Sequence, residues 1–90
     1  MRISMTQINN QTWQLRSQAS QLREVRSNLS RFQMDLNAAW VGSEISMTNL
    51  AVDDYRERAR RIADTLDALS HEIHQVADSI RREDERNEQR

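Results

Sequence analysis

The sequence predicts an all-α chain: an antiparallel helix-turn-helix hairpin that dimerises into a four-helix bundle. Three observations carry that reading. Proline is absent from the 90 residues and glycine occurs once, at position 42, so one place stands out where a helix would break. Apolar residues recur at steps of three and four on both sides of that glycine, the period of an amphipathic helix. The charge is also divided. Residues 1–42 hold five arginines and two acids, and residues 43–90 hold eight arginines and twelve acids, so the two halves attract.

In the first helix, expected over about 5–39, Ser4 followed by Gln7 fits a capping box that starts the helix near Met5, with Met1 to Ile3 frayed. Ile8, Leu15, Leu22, Leu29 and Leu36 then recur every seven residues. Val25, Phe32 and Ala39 fill the position three further on. Gln11 and Gln18 occupy that position near the N-terminus, so the seam is wetter there and the adjoining Thr12 and Ala19 must share the contact.

The turn is expected at about 40–43. Gly42 in the left-handed conformation would end one helix, Ser43 would cap the next, and Glu44 would place a carboxylate at its positive N-terminus. Trp40 at the bend would cover the open end of the seam.

The second helix, about 44–83, repeats Ile45, Val52, Ala59, Leu66, Ile73 and Ile80. Tyr55, Ile62, Leu69 and Val76 alternate with them, and Thr48 interrupts that second series. Small residues follow the seam in both helices, Thr12 and Ala19 in the first and Ala63, Ser70 and Ala77 in the second. They suit either an ordinary helix surface or the close approach of another helix. Pairs such as Arg81 with Glu85 can support local helix, but the tail from 84 to 90 has no apolar residue to anchor it and is expected to fray.

A single seam in a chain of this size is too thin to stand alone, which implies a partner or a second copy. On the side away from the seam, Trp13 and Met34 are candidate partner contacts, or else scattered surface hydrophobics. A thin hairpin offers no cleft, so an enzyme is not expected. There is no cysteine, and His71 and His74 with Glu72 and Asp78 lack the spacing of a zinc helix, so neither metal nor cofactor is expected. Net charge −1 argues against nucleic acid. No apolar run approaches the ~20 residues of a membrane span, and no basic-then-apolar leader is evident.

Trp40-Val41-Gly42, central between two helices in a chain of this length without cysteine or proline, resembles the turn of the WXG family, the small ESAT-like substrates of type VII secretion. The resemblance covers the whole chain in architecture and rests on Trp40 and Gly42. It implies a hairpin that dimerises head to tail, with a copy of itself or a sibling chain. It also implies recognition by the secretion ATPase, export from a cytoplasmic pool without a cleaved signal peptide, and travel with or escort of a larger effector. The family's C-terminal Tyr-x-x-x-Asp/Glu signal is not matched, because Ala59 stands four residues after Tyr55. His74 and Asp78 match the first half of a second export pattern, while Arg81 and Glu85 replace its remainder. The alternative is a cytosolic targeting adaptor that binds the helical N-terminal domain of a larger effector, which the amide-rich first helix and Trp13 would suit.

Overall fold

The structure, a computed structural model, describes residues 3–40 and 42–88. Two long helices, α1 (Met5–Ala39) and α2 (Glu44–Glu88), lie antiparallel in a rod of 74 × 16 × 12 Å. The expected fold of a single chain is therefore present. α1 begins where its capping residues place it. Ser4 is extended, and its hydroxyl accepts a hydrogen bond from the Gln7 backbone N–H at 3.3 Å. α1 ends as Trp40 turns to extended backbone while its N–H donates to the Leu36 carbonyl at 2.9 Å.

The turn corrects the role expected of Gly42. No described residue has a positive φ, so Gly42 does not end α1 in the left-handed conformation. What position 42 supplies is room. A Cβ there would lie 3.3 Å from Nε1 of Trp40, so the missing side chain lets the indole rest against the backbone two residues on. Trp40 and Gly42 are thus coupled by direct approach. The first turn of α2 closes on the Gly42 carbonyl, which accepts the Ile45 N–H at 3.3 Å, and Glu44 is the acid of that turn. Trp40 keeps 45% of its surface exposed, so it covers the bend only in part. Val41, also in the predicted turn, lies outside the described residues.

α2 runs five residues beyond the expected boundary at 83. The polar end is laced by charge pairs one turn apart: Asp78 with Arg81 at 2.7 Å and Arg82 at 3.0 Å, and Arg81 with Glu85 at 3.7 Å. Each such pair adds a little to a helix already nucleated, which is how a segment without apolar anchors stays helical. Residues 84–88, expected in the frayed tail, are helical here. Met1, Arg2, Gln89 and Arg90, where fraying was also expected, lie outside the described residues.

The rows of side chains that hold the helices together differ from those expected. The central rows behave as the spacing predicts: Ile8, Leu15, Leu22, Leu29 and Leu36 of α1 and Ile45, Leu66, Ile73 and Ile80 of α2 are half-buried, and Val52 and Ala59 are buried. The row expected to complete the seam is open to water, with Phe32 at 51% and Tyr55 at 60% exposure and Val25, Ile62, Leu69 and Val76 alongside them. The contact is completed instead by the small row. Thr12, Ala19 and Ala63 have no exposed surface, and Ser70 and Ala77 are buried with them. The physical reason is side-chain size. Helix axes approach closest where alanine, serine and threonine face each other, and rings such as Phe32 and Tyr55 cannot enter that gap.

Polar groups fix the antiparallel register along the small row. The buried Ser70 hydroxyl donates to the Thr12 carbonyl at 3.2 Å. Arg23 bridges the helices to Asp64 at 3.2 Å and Asp67 at 2.6 Å, a local expression of the charge difference between the two halves. Toward the turn, Gln33 Nε2 donates to Asn49 at 3.1 Å and Asp53 at 3.0 Å, Asn49 Nδ2 donates to Asn37 at 2.8 Å, and Arg56 donates to the Gln33 oxygen at 3.3 Å. Arg26 and Arg56 extend the row with their stems, each leaving a buried Nε–H without a partner among the described residues.

Candidate interaction surface

Because the small row turns inward, the hairpin has two unlike long faces. One carries the small row and the charges beyond it, where most ionic contacts lie. Examples are Arg23 with Asp64 and Asp67, Arg60 with Glu57 and Asp64, Arg61 with Glu57, and Arg81 and Arg82 with Asp78. The Glu57 carboxyl is held down to about 2, first by its hydrogen bond from Arg60 and then by Arg61. Asp78 is shifted below the usual carboxylate range, chiefly by the hydrogen bond from Arg81. These carboxylates are already engaged.

The other face is apolar and unpartnered. Val25 and Phe32 from α1 and Tyr55, Ile62, Leu69 and Val76 from α2 form an exposed ridge on each helix, with the half-buried central rows between. Two shallow grooves open on this face. One is lined by Leu22, Val25, Ile62 and Leu66 with Gln18 and Gln21 at its edge, and the other by Ile8, Leu69, Glu72, Ile73, Val76 and Ala77 with Ile3. The first shows which levels oppose each other: Leu22 and Val25 lie across from Leu66 and Ile62. Scattered exposed hydrophobics are ordinary, but a ridge of four large side chains along α2 with Val25 and Phe32 opposite it on α1, on a rod with so little interior, marks an interaction surface.

No protein-family model, no curated protein and no solved structure matches this chain.

Trp13 and Met34, the candidate partner contacts, are both exposed, at 63% and 71%, away from the helix contact. Trp13 stands beside Arg16, Ser17 and Ser20 in a shallow depression of its own. His74 and Asp78 share the charged face and line one depression with Arg16, Asp67, Ser70, His71 and Gln75. Both are half-buried rather than freely exposed, and Asp78 is bound to arginines on its C-terminal side. Among the described residues no group of three or more His, Asp or Glu is placed to hold a metal ion, so His71, Glu72, His74 and Asp78 do not converge. Among the described residues, no helix is long and apolar enough to cross a membrane.

The apolar ridge consists of residues that the spacing singles out, but it lies outside the hairpin's own seam, where the spacing had placed it. The signal that separates the two rows is the run Thr12, Ala19, Ala63, Ser70 and Ala77. Side chains this small on both helices at matching levels are the ones that let two backbones come together.

Proposed function

We propose that this chain is a WXG-like protein of type VII secretion, a substrate or effector-associated partner that acts through helical contacts and carries out no reaction of its own. The observation that carries the proposal is the coupling of Trp40 to Gly42. The two residues of the resemblance approach each other at the bend between two long helices, and the glycine there leaves room for the indole while its backbone conformation is open to other residues. The uncovered apolar face supports the second part of the reading, in which two hairpins pair into a four-helix bundle with a copy or a sibling chain. The protein then passes from a cytoplasmic pool to the medium by the type VII route.

The test is export. In a competent strain the protein is expected in culture medium when the secretion ATPase is intact and only in cells when it is deleted. Retention in both strains overturns the reading. Replacing His74 and Asp78 together with alanine tests the candidate signal, which predicts loss of export with helicity unchanged before His74.

One observation favours a second reading, the cytosolic targeting adaptor. Trp13 is a large ring left open on the side away from both the seam and the apolar ridges, where a pair of hairpins alone would not use it. That reading predicts co-purification with the helical N-terminal domain of a larger effector, lost on Trp13→Ala.

A further inference from the structure

We propose that the occupant of the apolar face is a second copy of this chain, set antiparallel so that α2 lies beside α2 of the partner with the twofold axis beside Thr65. This rests on the pairing part of the proposed function and not on the export part.

The rim of the apolar face consists of the positions just before each central residue. In α2 these are Ala51, Arg58, Thr65, Glu72 and Ser79, all exposed. In α1 they are Gln14, Gln21, Asn28 and Asp35, also exposed. The α2 rim therefore carries one cation and one anion, seven residues either side of Thr65. Glu72 has no ion-pair partner among the described residues. Arg58 pairs with Asp54, one turn earlier on its own helix, at 3.0 Å, and its guanidinium lies 6.0 Å from the Tyr55 ring with most of the side chain in water.

A copy placed antiparallel about Thr65 puts Arg58 against the partner's Glu72 and Glu72 against the partner's Arg58, two pairs from one symmetry operation. The same alignment stacks Leu66 on the partner's Ile62, Leu69 on the partner's Ala59, Ile73 on the partner's Tyr55 and Val76 on the partner's Val52. These four layers are apolar, and the next sets Ile80 on the partner's Thr48. A slip of one heptad faces Arg58 with Thr65 or Ser79 and leaves Glu72 unpaired. A parallel alignment puts the two α2 rims on opposite sides of the seam, so Arg58 and Glu72 meet no rim charge of the partner. At the centre, the groove lined by Leu22, Val25, Ile62 and Leu66 lies at the level of Thr65, so the axis passes through the apolar depression and closes it with its own equivalent. On the α1 side the flanking rim is largely amide, which opposes no partner charge.

The purified chain, free of cysteine, allows a direct test. Light scattering should give twice the 10.6 kDa chain mass. Arg58→Glu and Glu72→Arg, each creating two like-charge contacts, should each weaken the dimer roughly tenfold. An equimolar mixture of the two variants, and the double variant, should restore it. Spin labels on Thr65→Cys should report the shortest separation between copies. Labels on Ala51→Cys or Ser79→Cys should lie about 40 Å apart, from about 1.5 Å of rise per residue.

A helical chain that stays monomeric overturns the proposal, as does one that gains mass only with a different helical protein. So do three equally short label distances, or single variants that the double variant does not rescue. Export and pairing are read separately. A dimer in this register that is not exported defeats the secretion reading alone, and an exported chain with another register defeats this one alone.

Discussion

At the scale of single residues, the chain places its tightest demands on side chains that are absent or nearly so. At Gly42 the demand comes from Trp40, because a methyl group would sit 3.3 Å from the indole nitrogen while the backbone itself is ordinary for any L-residue. Gly42→Ala should therefore change stability by less than about 1 kcal/mol, since the unfolded chain loses freedom as the ring gives way. It should nevertheless red-shift Trp40 fluorescence as the indole moves outward, measured with Trp13→Phe as background. Ala63 is the opposite case. It has no exposed surface and faces the other helix, so Ala63→Leu should cost about 1–3 kcal/mol in chemical denaturation by forcing the helices apart. Glu57 sets a pH limit. Its carboxyl is held at about 2 against an ordinary value of 4.5. The contribution of its pairs with Arg60 and Arg61 is complete above about 4.5 and is lost as pH falls toward 2, where the unfolded chain takes up the proton first. Both partners are open to water, so the effect is small. Glu57→Gln should flatten the acid limb of helicity, followed by circular dichroism.

At the scale of elements, both helices and their junction were legible in the sequence because each start and stop has a local cause. Ser4 accepts from Gln7, the single glycine marks the bend, and the seven-residue repeat keeps both central rows in register. Two things were not legible. Periodicity gives the width of an apolar stripe without saying which edge meets the neighbouring helix. Only the relative size of Ala63, Ser70 and Ala77 against Tyr55, Ile62 and Leu69 decides that, and it decides through tertiary packing. The continuation of α2 through Glu88 was hidden for a different reason, apart from the one-turn spacing of Arg81 and Glu85. Its support is a ladder of charge pairs anchored at Asp78, which an apolar pattern does not register. Asp78→Asn should therefore lower helicity selectively in residues 81–88, read from backbone chemical shifts, with the segment before His74 unchanged. The candidate site was half legible: the ridge residues were identified by type and spacing, and their exposure followed only from the packing of the small row.

At the scale of the whole molecule, two helices side by side make a rod 74 Å long whose apolar ridges exceed what it can bury by itself. The proposed pairing face to face would give such a rod a core of ordinary depth and would make its stability inseparable from protein concentration. The 12 Å thin dimension has one more consequence. A layer one helix deep has an inside only along the small row, so every amide lies within a side chain's reach of bulk water, and opening any turn exposes it at once. Amide hydrogens at Leu22 and Leu66 should consequently exchange almost as fast as those near the ends when the protein is dilute. They should slow by orders of magnitude, and before any others, as concentration is raised. On the proposed pairing, a deep interior is something that two molecules make between them.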